Sequence, residues 1–303
     1  MRAPRALPGG RLDAQNGTFI LGRVLSGRAI PLSSYQTMCS CIYHMNHWSA
    51  WRGEVRTWGF SMAAPTLDRR LYLALHRLGM MGTEEKQLLA RLISPGMQIL
   101  DVGANIGLYA LWMAKCAGDA GRVFTFEPVP QLFDCLVESC RRSGGPKVEC
   151  LNLALGAADG SAVIYERAFN SGDGRMGASN RAAHEVRVEV RRLDNVLPGQ
   201  RFDFIKIDAQ GFELNVLRGM ERALDVSRDA PIWFEYWPRG LAAAGTEPAS
   251  LVAFLNHRGY RIYSPAPGDT FVAVRPDADE MVRHSRRRPW GHSGNFLAAR
   301  RPP

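Results

Sequence analysis

From residue 97 onward, short apolar runs alternate with stretches whose apolar residues recur every three or four positions. That alternation is the pattern of strands joined by crossover helices, and hence of a parallel sheet. The apolar runs predict strands at 97–102, 122–127, 147–151, 203–208, 231–235, 260–263 and 270–274, and the helical spacing predicts helices at 108–117, 131–142, 213–224 and 248–257. Two helical faces come earlier, one formed by Leu71, Leu75 and Leu78, the next by Leu88, Leu89, Leu92 and Ile93, with Pro95-Gly96 as the stop. Between the third and fourth strands the period changes to two. Val186, Val188 and Val190 alternate with Glu185, Arg187, Glu189 and Arg191, a half-buried strand expected to pair antiparallel with 161–166. The Gly-rich stretch 170–177 between them is expected to be a loop lying over a site. The expected architecture is α/β, with a mostly parallel seven-stranded sheet, flanking helices and a β insertion. Residues 1–65 read as an N-terminal arm, 66–275 as the main domain and 276–303 as a basic tail.

Composition supports a globular chain: 303 residues, 46% hydrophobic and 22% charged. The net charge of +9 first suggests a polyanionic partner, but residues 1–28 carry +4, residues 275–303 carry +4, and the 246 residues between them carry +1. The basic character belongs to the ends, so no nucleic-acid partner is expected, although basic arms that bind nucleic acid stay open as an alternative. The first residues lack an apolar signal core, and no run approaches the ~18 to 20 apolar residues that span a bilayer. The six cysteines, at 39, 41, 116, 135, 140 and 150, include no C-x-x-C pair. They read as reduced thiols, which places the chain in the cytoplasm. Trp48, Trp51 and Trp58 either stack on a sugar face or form a small apolar core under the arm.

The chemistry concentrates where strands end. Ile99-Leu-Asp-Val-Gly-Ala-Asn-Ile-Gly-Leu-Tyr109 runs from a buried strand through Gly103, Asn105 and Gly107 into a helix. Glycine and asparagine tolerate left-handed backbone, and the following helix N-terminus offers free N–H groups to a ligand. Glu127 closes the second strand 26 residues after Asp101, a position from which a carboxylate can accept both hydroxyls of a ribose. Nicotinamide dehydrogenases and S-adenosylmethionine enzymes share that geometry. The spacing G-x-N-x-G and an acidic Asp101 favour a cofactor with an α-amino group and no pyrophosphate; the nicotinamide-dependent oxidoreductase remains the alternative. A further strand, Phe204-Ile-Lys-Ile207, ends in Asp208, followed by a turn at Gly211 and a helix near Glu213. Asp101, Glu127 and Asp208 should therefore face one crevice at the carboxyl ends of the strands.

Together, Asp101-Val-Gly-Ala-Asn-Ile-Gly-Leu-Tyr109, Phe126-Glu-Pro128, Leu153-Ala-Leu-Gly156, Arg192-Leu-Asp194 and Ile205-Lys-Ile-Asp-Ala-Gln-Gly-Phe-Glu213, in that order, resemble the FkbM family of S-adenosylmethionine-dependent methyltransferases over residues 70 to 265. The resemblance implies a class I methyltransferase (Rossmann-like) fold and O-methylation of a sugar, glycan or related small metabolite. It implies that Asp101, Gly103, Asn105 and Gly107 cradle the methionine moiety, that Glu127 holds the ribose, that 152–154, with Ala154, edges the adenine, and that Asp208 lies nearest the transferred methyl. Gln210 stands where the commonest family form has Glu, which argues against a charge-dependent role for it. Asp208 is the first candidate for the base that an attacking hydroxyl needs, and His184 a weaker one. Glu213 fits better as a helix N-terminal carboxylate than as a catalyst. The chain lacks the Asp/Asn-Pro-Pro-aromatic run of amino-nitrogen methylation and a Pro-Cys pair, so oxygen is the expected acceptor. Asp194, Asp208 and Glu235 share no ligand-type spacing, so no metal is expected.

Overall fold

The computed structural model describes residues 54–65, 83–143, 147–167, 170–176, 184–268, 270–286 and 294–303. The arm 1–28, Trp48, Trp51 and the helical face at Leu71, Leu75 and Leu78 lie outside them.

In chain order the described elements are a hairpin of β1 (Glu54–Thr57) and β2 (Phe60–Ala63), then α1 (Thr83–Leu92), β3 (Gln98–Val102), α2 (Leu108–Ala117), β4 (Arg122–Phe126), α3 (Pro130–Ser143) and β5 (Val148–Leu151). The insertion follows with β6 (Ala154–Leu155), β7 (Gly160–Arg167), β8 (Asn170–Met176), β9 (His184–Arg191) and the short α4 (Leu193–Val196). The chain then returns to the sheet with β10 (Phe204–Ile207), α5 (Glu213–Gly219), α6 (Glu221–Val226), β11 (Ile232–Tyr236), α7 (Pro238–Ala243), α8 (Pro248–His257), β12 (Arg261–Ala266), β13 (Thr270–Val274), α9 (Ala278–Arg286) and β14 (Gly294–Ala299).

The main sheet has eight strands in the order β13-β12-β14-β11-β10-β3-β4-β5. β5, β4, β3, β10 and β11 are parallel, β14 runs antiparallel between β11 and β12, and β13 pairs antiparallel on the edge. The chain builds outward from β3 to β5, then resumes on the other side with β10. That reversal opens a crevice at the carboxyl ends of β3 and β10, where open α/β sheets bind ligands. The class I, Rossmann-like α/β expectation holds. The inner parallel strands β3, β4, β10 and β11 are mostly buried on both faces because their side chains alternate between two helix layers, whereas the edge strand β5 is half-buried throughout. Ile99, Val123, Phe204 and Trp233 pack under α1 and α2. Leu100, Phe124, Ile205 and Ile232 pack in a second cluster with residues of α5, α6 and α8.

Four expectations need correction. The seven-stranded sheet gains an eighth strand from the stretch read as a basic tail: Gly294–Ala299 is β14, deep in the sheet, with Phe296, Leu297 and Ala298 at most 1% exposed. The expected helix 213–224 is two helices, because the Asp194 carboxylate accepts Arg222 N (3.0 Å) and Ala223 N (2.9 Å) and starts α6 afresh. Gly219, just before the break, packs so closely on the Gly156 carbonyl that a Cβ would lie 2.0 Å from its oxygen. The Gly-rich loop at 170–177 is, over Asn170–Met176, the edge strand β8, paired with β7 across a register shift at Tyr165 to Arg167. Finally, the end of the arm joins the core. Trp58 is buried, with its ring edge-on to Tyr109 (5.5 Å) and Trp112 (6.0 Å), and Ala63 N donates to Ser139 Oγ of α3 at 3.0 Å. Of the two roles open to the tryptophans, Trp58 takes the structural one.

Candidate active site

The turn after β3 is shaped by backbone demands. Gly103 N and Ala104 N both donate to Phe126 O, drawing the turn onto the end of β4. Gly103, Asn105 and Gly107 all have positive φ, at +77°, +53° and +96°. At Gly103 the backbone comes so close to β10 that a Cβ would sit 2.0 Å from the Asp208 carbonyl oxygen, so β3 and β10 can end side by side only if this residue has no side chain. Asn105 offsets its left-handed geometry locally, its Oδ1 accepting Ile106 N at 2.8 Å. α2 begins directly after Gly107, with its N-terminus toward the turn.

Glu127 ties this turn to the second strand. Its Oε2 accepts Asn105 N (2.8 Å) and its Oε1 accepts Val129 N (3.0 Å), while the residue is 4% exposed. Sequence reasoning gave Glu127 a ligand and missed that it also holds the cradle in shape. Asn152 donates from Nδ2 to the Glu127 and Pro128 carbonyls, which brings the 152–154 segment to the site at its first residue. Ala154 is buried in β6 beside Val190 and shares an apolar cluster with Ile106 of the turn and Leu108 of α2.

Under the turn lies a buried ion pair. Asp101 is fully buried and accepts Lys206 Nζ at 3.1 Å; Lys206, itself 3% exposed, also stands 4.0 Å from Asp208 Oδ2 and 4.9 Å from the Tyr109 ring centre. Burial pushes the Asp101 carboxyl above its ordinary range against the pull of Lys206. Burial disfavours the Lys206 ammonium, but the Asp101 and Asp208 carboxylates outweigh it and keep it protonated. Asp101 Oδ2 has no hydrogen-bond partner among the described residues. Lys206 was missed, yet the signal was there: a lysine inside the apolar run Phe204-Ile-Lys-Ile207 requires a buried counter-charge.

Asp208 lies at the crevice with its side chain 35% exposed. Its Oδ1 accepts Gln210 Nε2 at 2.8 Å, and the same nitrogen donates to Glu235 Oε2 at 3.0 Å. Gln210 has φ +51°, and Gly211 after it packs on the Gly240 backbone of α7. Glu213 holds this strained turn, its Oε1 accepting Ala209 N (3.1 Å) and Gly211 N (3.0 Å). That settles its role as a turn staple. Asp194 is likewise a helix cap, and among the described residues no three His, Cys, Asp or Glu side chains are placed to hold a metal ion. His184 opens β9 in the second sheet.

Glu213 is fully buried, and burial raises its pKa from 4.5 to about 7. Because the folded value is the higher one, its contribution to stability is fully present below about 4.5 and is lost as pH rises through about 7. Glu213→Gln keeps an oxygen for the two amides and removes the ionisation. It should therefore flatten the fall in stability between pH 5 and 7 and make the variant the more stable protein at pH 8, by of order 3 kcal/mol at most. Urea unfolding at pH 5 and pH 8 checks this; parallel stability-pH curves for both proteins would rule it out.

A family model described as the methyltransferase FkbM domain matches residues 101–262. The chain is 30% identical over 204 residues to methyltransferase sdnD of Sordaria araneosa, covering 54% of this chain and 73% of that protein. It is 32% identical over 126 residues to the hexuronic acid methyltransferase AglP of Haloferax volcanii (41% and 50% covered) and 27% identical over 145 residues to methyltransferase 1 of Beauveria bassiana (41% and 58%). The chain thus spans about half to three quarters of the length of these relatives. Among solved structures, cofactor-bound Rv0187 from MTB aligns over 94% of this chain and 95% of its own at 17% identity and a TM-score of 0.43. A SAM dependent methyltransferase from Aquifex aeolicus aligns over 71% and 88% at 16% identity and a TM-score of 0.39.

Proposed function

The chain belongs to the FkbM methyltransferase family, whose methyl donor is S-adenosylmethionine, and from that premise we propose that it methylates a hydroxyl oxygen of a sugar or related small metabolite. The observation that carries the oxygen assignment is the placement of Asp208. It is the half-exposed carboxylate between the glycine cradle and the rest of the crevice, held by Gln210 and touching the cradle through its own backbone at Gly103. The name of one relative, a hexuronic acid methyltransferase, supports a sugar acceptor. The described cysteines, Cys116, Cys135, Cys140 and Cys150, form no disulfide, which supports a reducing cytoplasmic setting.

The residues fit this donor. The buried Asp101 Oδ2, unpartnered among the described residues, suits the ammonium of the methionine moiety, the positive-φ backbone at Gly103, Asn105 and Gly107 leaves room for close approach, and Glu127 stands at the end of the second strand, where a carboxylate can meet ribose hydroxyls. Asp101, Glu127 and Asp208 around one turn would repel a pyrophosphate, which disfavours a dinucleotide. When bound, S-adenosylmethionine supplies an electrophilic methyl on a sulfonium whose departure leaves a neutral thioether. The chain's residues have two tasks. They hold the acceptor oxygen within ~3 to 3.5 Å of in-line attack, and Asp208 accepts the hydroxyl proton as the oxygen becomes nucleophilic. Lys206 beneath Asp208 and Asp101 keeps two carboxylates tolerable in one crevice.

The test is transfer of an isotope-labelled methyl group from the donor to a saccharide extract, followed by mass spectrometry and linkage analysis. The reading expects a gain of one CH2 unit at a sugar hydroxyl. Label found only on nitrogen or carbon would refute it.

A further inference from the structure

Away from the crevice, and whatever the acceptor, we infer that Cys140 and Cys150 form a redox-active dithiol, which a hydroperoxide oxidises to a disulfide joining α3 to β5.

The fold brings the two thiols together. Cys140 lies near the C-terminal end of α3 and Cys150 on β5, and their sulfurs are 3.9 Å apart, close enough for one thiol to donate to the other. β5 is the edge strand of the main sheet, paired with β4 on one side, and both cysteines are partly exposed, so a small oxidant can reach them. Register adds a second observation. Lys206, Asp101, Thr125 and Cys150 form one row across β10, β3, β4 and β5. The first three are at most 3% exposed, so Cys150 is the half-exposed outer end of a polar row that begins at the ion pair under the donor turn. Within that row Thr125 Oγ1 donates to the Glu149 carbonyl at 3.1 Å, and the partner that meets Cys150 from the covering helix is a second thiol.

The surroundings make the two thiols unequal. The hydrogen bond from Cys140 holds the Cys150 thiol at about 7, below its usual 9, despite burial; the same bond and burial push Cys140 up. Near neutral pH Cys150 therefore carries the thiolate character, and the thiolate is the nucleophile. Its sulfur attacks the outer oxygen of the hydroperoxide, the O–O bond breaks, and the departing alkoxide takes up the thiol's proton, which leaves an alcohol and a sulfenic acid at Cys150. The Cys140 sulfur then attacks the Cys150 sulfur. The S–O bond breaks, water leaves with the Cys140 proton, and the S–S bond forms. The two thiols give up two electrons and the peroxide accepts two. The sulfurs must close by roughly 2 Å to reach the disulfide length of about 2.05 Å, a movement of the size that rotation about one Cα–Cβ bond produces.

The test treats the reduced full chain with a few equivalents of hydrogen peroxide, blocks the remaining thiols with N-ethylmaleimide and maps all six cysteines by tryptic digestion and tandem mass spectrometry. Cleavage after Arg141, Arg142 and Lys147 puts Cys140 and Cys150 on separate peptides, so a bridge appears as a linked pair short of two hydrogens, and fragmentation tells Cys140 from Cys135 on the same peptide. The linked pair should form, and dithiothreitol should release it. Cys116, whose thiol burial pushes up, should stay reduced over the same time. Cys140→Ser should stop the reaction at a sulfenic acid on Cys150 that dimedone captures, and Cys150→Ser should leave Cys140 unmodified. Two thiols that merely fill space would give no linked pair, or would oxidise no faster than Cys116; either result overturns the inference, as does Cys140 reacting equally well in Cys150→Ser. If a variant fails to fold, the wild-type map still decides.

Discussion

Ending the chain before Gly294 is expected to unfold the domain, where loss of a mere basic tail would leave it intact. β14 pairs with β11 over Ile232 to Tyr236 and with β12 over Arg261 to Tyr263, so its removal leaves two strand edges facing a gap inside the sheet. Phe296 also packs against Phe234 and Tyr236 at 6.1 Å from each ring. Burying Phe296 and Leu297 alone contributes roughly 3 to 6 kcal/mol, against a total stability of about 5 to 15 kcal/mol for a typical domain. The truncated protein should show no cooperative melting transition and no S-adenosylhomocysteine binding. Removing only Arg301 to Pro303 is the matched control. It deletes the exposed Arg301–Asp229 ion pair, whose side chains are 81% and 65% exposed, and should leave the melting temperature nearly unchanged. A truncation before Gly294 that melts cooperatively near the wild-type temperature would show that β14 is dispensable.

That strand also shows where sequence reasoning stops. The inner parallel strands were legible because they are buried on both faces and read as largely apolar runs, as in Phe204–Ile207, where Lys206 is the one polar residue. β14 has the same character, but its six residues sit between Arg286-Arg287-Arg288-Pro289 and Arg300-Arg301-Pro302-Pro303, and a charge average over the segment hides them. The break between α5 and α6 could not be read locally either, since its cause, Asp194, lies 28 residues upstream. The site divides along the same line. Gly103, Asn105 and Gly107 were legible because their requirement is backbone conformation, which each residue type declares by itself. Glu127 was legible from spacing, but its bond to Asn105 N was not, because that depends on how two strand ends meet. The pairing of Lys206 with Asp101 and the bridge from Gln210 to Glu235 join residues 105 and 25 positions apart. They follow from register, which a pattern of apolar runs does not specify.

Asp208→Asn should lower turnover on the true acceptor by at least about 100-fold, the lower end of what a positioned general base contributes, while leaving donor binding within a few-fold of wild type. The substitution is nearly isosteric. The amide that replaces the carboxylate retains an oxygen that can accept from Gln210 Nε2, so the turn stapled by Glu213 and the backbone packing on Gly103 should persist. A charge is lost 4.0 Å from Lys206, but the carboxylate that carries it is 35% exposed, and Lys206 keeps its 3.1 Å bond to fully buried Asp101. The stability change should therefore be small, well under that of breaking a buried pair. What disappears is the proton acceptor. Calorimetric titration with S-adenosylhomocysteine, thermal melting and single-turnover methyl transfer separate these effects: unchanged binding and melting with slow transfer assign Asp208 to the chemistry, whereas near-normal transfer removes it from the mechanism. Asp208→Ala sharpens the comparison. It abolishes both the base and the Gln210 contact, and so should weaken acceptor binding as well as slow transfer, where Asp208→Asn should affect transfer alone. Equal effects of the two substitutions on acceptor affinity would mean that Gln210 does not act through Asp208.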